Sequence, residues 1–329
     1  MDPNLLAQIQ DLLLDPTRFG LASSDAWQPL GFVDLDSCSE QPCIEALPPF
    51  PVIGIGARNH PVAARLDTVV ESPVSVETLI RQVRRTPHAA AVTVQLLRNL
   101  QGMSRAQALT FESLSYGLLQ GSAEHAAWLA ARPSPVQPGS SGRVVVTRHD
   151  NVLLVVLDRA AARNAIDRAM RDELYEAFTL AAIDPDIGQM KLRASGAAFS
   201  VGGDLDEFGT TRDPATSHLI RSRTVPAIPL IGCADILDVH VRGACVGAGL
   251  EIAAFAARFT ASSDAWFQLP ELAMGLIPGA GGCVSVPHRI GRQRAALMML
   301  SGRRINATTA LQWGLIDAIE DEAAPSLST

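Results

Sequence analysis

Two hydrophobic rhythms divide this chain. Up to about residue 132, apolar positions recur mainly at helical spacing; beyond about 143, short β-branched runs alternate with glycine-bearing turns and helices. In the first part, Ser104-Arg-Ala-Gln107 has the form of a capping box and predicts a helix through Leu119. Thr86-Pro87 opens another, with Ala90, Val94 and Leu97 on one face, and a third from about Ser122 must stop at Pro133. Ahead of these, Phe50–Gly56 and Leu66–Val70 predict two short buried strands, and residues 15–48 carry so little periodicity that they are expected to be irregular. In the second part, Arg143–Thr147 and Asn151–Leu157 predict a hairpin around His149-Asp150-Asn151. An amphipathic helix is expected over 167–182, followed by strands near 190–194 and 239–242. Each of these strands enters a glycine-rich turn and then a helix, over 190–208 and 239–259, which predicts an α/β architecture.

The break between the two parts is the stretch Arg132–Gly142, with three prolines, two glycines and three serines. No helix continues through it. Ten residues, 133–142, span roughly 30 Å when extended, enough to cross a domain face. The expected organisation is a mainly helical N-terminal region over 1–132, a linker over 133–142 and an α/β core over 143–329.

Within the core, two carboxylates stand out by their surroundings. Glu251 is the only charged residue between Arg242 and Arg258, and Glu271 the only one between Asp264 and Arg289. A carboxylate in a segment that must be buried is costly unless it is paired, protonated or used. Two of them, each beside a glycine-rich turn, suggest an acid/base pair. The turns point the same way. Where a strand hands over to a helix, the first N–H groups of the helix are unpaired, and small residues let a ligand approach them. Two such turns side by side would cradle one developing negative oxygen.

Composition narrows the classes. Hydrophobic residues make up 47% of 329, sufficient for a sizeable core, while aromatics are only 5%. The balance of 27 basic against 34 acidic side chains leaves a net charge of −7. With no basic block, neither nucleic acid nor an anionic membrane is expected as a partner. Five cysteines without a Cys-x-x-Cys pair, and scattered histidines, give no reason to expect a disulfide framework or a metal site. The N-terminus lacks the pattern of a secretory signal, and a cytoplasmic location is expected.

The glycine-rich segments and their order resemble the crotonase, or enoyl-CoA hydratase/isomerase, superfamily. The likeness rests on Arg163-Asn-Ala-Ile166, Ala198-Phe-Ser-Val-Gly-Gly-Asp204-Leu, Val241-Arg-Gly-Ala-Cys-Val-Gly-Ala-Gly-Leu-Glu251, Phe267-Gln-Leu-Pro-Glu271 with Gly275–Gly282, Gly291–Ala296, and Ser301–Ala307 with Gly314-Leu-Ile-Asp317. The resemblance implies a superhelix of strand-strand-helix turns that binds acyl-coenzyme A thioesters. It implies backbone N–H groups of Gly203 and Ala248 on the thioester oxygen, Ala248 standing where glycine is usual. Glu251 and Glu271 fall at both glutamate positions of the hydratases, with their acid and base roles left open. Gly279 would supply an N–H near the catalytic water. Arg163, Ala165, Ala198, Ser200, Gly202, Asp204 and Leu205 would lie along the acyl-CoA, with no cofactor beyond the coenzyme A of the substrate. A homo-trimer, or a dimer of trimers, is the assembly it implies.

Two departures qualify the resemblance. Relatives usually continue for several helices past the Gly-Leu-Ile-Asp position, whereas residues 76–132 here read like that tail placed first. A permuted order is therefore expected, with an unrelated helical extension as the alternative. The segment 209–240 is longer than usual and should reshape the acyl pocket; Asp204 should cap a helix, and the basic cluster Arg292, Arg294, Arg303 and Arg304 should be a solvated face. Hydration of a 2,3-enoyl thioester is the reaction expected. A double-bond isomerase, cofactor-free dioxygenase-like enolate chemistry and a non-catalytic acyl-CoA-binding subunit are the alternatives.

Overall fold

A computed structural model describes residues 3–16, 19, 28–38, 46–133 and 141–321. Most of the predicted linker, residues 134–140, and the cysteine at 43 lie outside the described residues. The N-terminal part begins with α1 (Pro3–Gln10) and a three-stranded parallel sheet of β1 (Gly31–Asp34), β2 (Val52–Ile55) and β3 (Thr68–Val69). Strand β1 corrects the expectation of irregular chain over 15–48. Its four residues are too few to show a period, and parallel pairing with β2, Gly31 opposite Val52, is what fixes it. Four helices follow: α2 (Val76–Arg85), α3 (Pro87–Asn99), α4 (Arg105–Gln120) and α5 (Ala123–Ala130). The local signals act as read. Pro87 occupies the first turn of α3, and Ser104 and Gln107 close a capping box on α4.

The core contains a six-stranded sheet. The antiparallel hairpin is β4 (Arg143–His149) with β5 (Val152–Asp158). Helix α6 (Arg168–Ile183), capped by Asp167, leads to β6 (Gln189–Ala194), which runs parallel to β5. Then come α7 (Pro214–Thr224), α8 (Ala227–Leu230), β7 (Leu237–Val241), β8 (Ala244–Val246) and α9 (Ala248–Ala253). Strands β9 (Arg258–Ala261) and β10 (Trp266–Gln268) precede α10 (Gly282–Ser301), which is broken at Gly291. The described chain closes with β11 (Ile305–Asn306), α11 (Ala307–Trp313) and β12 (Ala318–Ile319). The six-stranded sheet runs in the order β12-β9-β7-β6-β5-β4, and β11-β10-β8 form a second, small sheet.

Of the two helices expected after the glycine turns, one is a 3-10 turn and the other is shorter than expected. After the 195–204 turn the chain makes only a 3-10 turn over Leu205–Glu207, and Asp204 caps that turn. Phe208, with extended backbone angles, closes it. The helix after Gly247 ends at Ala253, well before 259.

The N-terminal helices share one hydrophobic core with the α/β part. Val83, Ala90, Val94 and Leu97 belong to the same buried cluster as Leu153, Phe178, Val239 and Leu297. Small residues on α3, Ala89 to Ala91, let it lie close against α10. Polar ties reinforce the seam. Asp67, fully buried and held within the N-terminal part by Arg98 at 2.8 and 2.6 Å and by the Val52 N–H at 2.9 Å, also pairs with Arg292 of α10 at 3.5 Å. Arg292 donates to the Leu66 carbonyl at 2.8 Å, and Arg294 makes a two-pronged pair with Glu71 at 2.8 and 3.0 Å. Half of the supposed solvated basic face is therefore used to fasten α10 to β3, while Arg303 and Arg304 are exposed. No helix among the described residues is long and apolar enough to cross a membrane.

Candidate active site

The site is built on two loops held side by side. Asn164, completely buried, organises the first: its amide donates to the carbonyls of Ser195 and Ala198 at 2.8 and 2.9 Å and accepts from the Arg159 N–H at 2.8 Å. Ser200 adds a hydroxyl that donates to the Asn164 carbonyl at 2.7 Å and accepts from the Gly202 N–H at 3.1 Å. Backbone bonds from Ser200 N–H to Ala244 and from Val246 N–H to Ser200, both 3.0 Å, then lock this loop against the strand leading to α9. Ile166 is bonded to Gly202 on one side and Asp204 on the other, both at 2.8 Å, which turns the intervening Gly203 N–H the opposite way. Ala248 is the first residue of α9, where an N–H has no partner within the helix. Among the described residues, neither the Gly203 nor the Ala248 N–H donates to another protein group. The first of them comes from an extended segment rather than the helix terminus expected from sequence.

Gly247 makes the junction possible. Its φ of +48° belongs to glycine, and a Cβ there would stand 2.7 Å from Oε1 of Glu271. The turn after Pro270 thus brings Glu271 directly behind the second loop. Glu271 is 8% exposed and Glu251 2%, so both lone carboxylates of the sequence are buried.

Their environments differ. Oε2 of Glu251 accepts from the Ala280 N–H at 2.5 Å and the Gly282 N–H at 2.9 Å, at the start of α10. Burial pushes its carboxyl up to about 7, while those N–H groups and Arg221 work against the rise. Glu271 has no such cradle. Its Oε2 is buried without a hydrogen-bond partner, and burial, with the Glu251 and Glu112 carboxylates adding to it, holds it well above the ordinary value. The two groups are therefore pushed apart by their surroundings, Glu251 being the readier to ionise.

Sequence reasoning missed three more members of this cluster. Glu112 of α4 is 1% exposed and accepts from the Gly281 and Cys283 N–H groups, each at 2.8 Å. Burial and then Glu251 raise it to about 8. Tyr116, one turn along α4, lies under the Arg221 guanidinium at 4.0 Å, and Arg221 also donates to the Gly279 carbonyl. A signal for Glu112 existed: on a helical wheel it shares a face with Ala108, Leu109, Tyr116 and Leu119, all buried. Arg221 sits on α7, in the long 209–240 segment, and nothing in its own neighbourhood marks it.

Gly203, Ala248, Glu251, Glu271 and Gly279, all chosen from sequence, line one cavity of about 200 Å³ with Tyr116, Arg221, Ile166 and Phe208. Gly279 has no room for a side chain, since a Cβ would meet the Tyr116 ring at 2.4 Å. A neighbouring cavity of about 170 Å³ shares Gly203, Tyr116 and Arg221 and includes Asp204. The other expected ligand-binding residues lie in the flanking loops. Arg163 and Leu205 are exposed, Ala165 is half-buried, and Ala198 and Gly202 are buried. Asp204 is paired with Arg159 at 2.6 Å. The Ser200 hydroxyl is fully buried and engaged inside the loop, which it shapes.

Comparison with known proteins agrees with this geometry. Residues 147–324, more than half of the chain, match the family model described as enoyl-CoA hydratase/isomerase. The 2,3-dehydroadipyl-CoA hydratase of Escherichia coli is 33% identical over 176 residues, covering 54% of this chain and 68% of that protein. An enoyl-CoA isomerase/hydratase of Mycosarcoma maydis is 30% identical over 200 residues, covering 56% and 69%. The crystal structure of an enoyl-CoA hydratase from Thermoplasma volcanium superposes with a TM-score of 0.51 at 32% identity, over 55% of this chain and 73% of that one. With two backbone donors at the glycine turns and two buried glutamates on one cavity, inside a family match over residues 147–324, the chain belongs to the enoyl-CoA hydratase/isomerase family.

Proposed function

We propose that this chain adds water across the 2,3 double bond of an acyl-CoA thioester. The observation that carries the reading is the convergence on one cavity of two unengaged backbone donors and two buried carboxylates of unequal acidity. The Gly203 and Ala248 N–H groups hold the thioester oxygen and stabilise it as negative charge builds there. One donor of this kind is typically worth about 2.7–4 kcal/mol of barrier. Glu251, cradled as an anion by the start of α10, takes a proton from water, whose oxygen bonds to C3. The π electrons move to give an enolate, and Glu271, held protonated, delivers its proton to C2. Proton transfer back from Glu251 to Glu271 restores the starting state. Acid/base assistance of this type contributes about 10²–10⁴-fold.

Isomerisation requires only a proton shuttle between C2 and C4, and a pair of carboxylates exceeds that need. Hydration is tested directly by incubating the purified protein with short, long and aromatic 2-enoyl-CoAs in ¹⁸O-labelled water. Loss of enoyl absorbance with label at C3 is expected. A folded protein that hydrates none of them, or a Glu271→Gln variant that hydrates at the wild-type rate, removes this reading.

A further inference from the structure

Glu112 is the least explained group in the molecule. It comes from α4, before the linker, yet its carboxylate ends among the reacting groups of the core, 169 residues from the Gly281 N–H it binds. It does not line the cavity that holds Glu251 and Glu271, so it has no route to substrate. Burying a carboxylate is costly, and its two N–H contacts mark a specific use.

Those contacts interleave with the ones made by Glu251. Along the turn into α10, the N–H groups of Ala280 and Gly282 go to Glu251, and those of Gly281 and Cys283 go to Glu112. Gly281, at φ +104°, gives the backbone the alternation that sends successive N–H groups in opposite directions. The turn is clamped between the two carboxylates from its two sides. Neither clamp comes from the turn's own side chains, since α10 has no side-chain cap. The Ser285 hydroxyl, one turn further on, donates to the Glu251 carbonyl at 2.7 Å and fixes the distance between α9 and α10.

We propose that Glu112 is a positioning residue for the reaction, holding the Gly279–Cys283 turn so that its alternate N–H groups keep the Glu251 carboxylate aimed at the cavity. The proposal rests on the acid/base reading above and goes beyond it by making the segment before the linker part of the catalytic apparatus. The titratable and charged groups facing Glu112 are Glu251 from α9, Glu271 from the turn after Pro270, Arg221 from α7, and Tyr116 and Cys283 from α4 and α10. Of these, Arg221 opposes the rise in the Glu112 carboxyl and Glu251 adds to it.

The test is a double-mutant cycle in the full-length protein. Glu112→Gln keeps the shape but can accept only one of the two N–H groups, its amide facing the other. Turnover should fall roughly 10-fold or more with KM changed less than about threefold. In a Glu251→Gln background the same substitution should cause no further loss, because it acts through Glu251. Glu112→Asp, which keeps the carboxyl group but is a methylene too short to span both donors, should give a smaller loss of the same kind, and it carries the test if the Gln variant does not fold. A purely structural role predicts otherwise: a lower melting temperature, unchanged turnover per folded molecule, and losses that multiply. Wild-type turnover in a folded Glu112 variant, or multiplying losses, overturns the proposal. A fully active Glu251→Gln variant would instead remove the acid/base reading, so the two failures are distinguishable.

Discussion

Replacing Glu251 by Gln should cost activity and increase stability, and the size of the second effect follows from burial. In the unfolded chain the carboxyl ionises near 4.5; in the folded protein burial moves it up to about 7. The folded state therefore holds a proton that the unfolded state has released at any pH between these values. By linkage, stability falls as pH rises through that window, and the part owed to this group is fully present only below about 4.5. The rise corresponds to about 3 kcal/mol, most of it lost by pH 7 and the remainder by about pH 8. Gln removes the titration while its amide oxygen can still take the Ala280 and Gly282 N–H groups. It also relieves Glu112 and Glu271, both raised partly by the Glu251 charge, which adds in the same direction. In urea unfolding at pH 5, 6, 7 and 8, the variant should gain on the wild type with each step, by about 2–3 kcal/mol over the series. Its hydration rate should be lower by about 10²-fold or more. Parallel stabilities across the whole range would show that Glu251 is not a raised, buried acid. Wild-type turnover would show that it is not the base.

Two further variants probe the rest of the site. Ala248→Pro removes one proposed oxyanion donor at a helix position that tolerates proline, so turnover should drop at least about 10²-fold with the fold retained by circular dichroism; a fully active variant excludes Ala248 as a donor. Arg221→Met removes the cation that opposes the rise in the Glu251 carboxyl, so Glu251 should require a higher pH to ionise. The acid limb of the kcat/KM profile, expected near pH 7, should then move up by about one pH unit, and an unmoved limb would mean that Arg221 does not act on Glu251.

The parts of this site that could be read from sequence are those coded by local chemistry. Runs such as Val144-Val-Val and Leu153-Leu-Val-Val-Leu specify strands, and Asp167, Ser104 and Pro87 place helix starts, because each signal lies within a turn of the element it controls. The two lone glutamates were visible for a related reason: a charge in an apolar stretch is anomalous in its own sequence window. Glu112 is anomalous only on a wheel, since Phe111 and Ser113 flank it and its apolar neighbours are three or four residues away. The helix after Gly247 ends at Ala253 rather than near 259, because a glycine turn announces where a helix can start and not where it must end. The inward aim of the Ser200 hydroxyl depends on Asn164, 36 residues away, a contact that no local pattern encodes.

The placement of Glu112 also bears on why the chain should be ordered as it is. Without α4, the Gly281 and Cys283 N–H groups would be left facing a void at a buried helix start. Each unpaired buried donor costs about 1–3 kcal/mol, comparable to a substantial share of a domain's net stability. The same removal would take away Tyr116, which supports Arg221, and would uncover the Glu271 turn, where α5 fits so closely that a Cβ on Gly275 would meet the His125 backbone at 2.7 Å. An independent appendage would leave the core's buried polar groups satisfied by the core itself. Here they are satisfied across the linker, and the acid/base cavity takes one wall from before it. We therefore infer that residues 76–132 are the helical cover of this site, encoded ahead of the strands they protect.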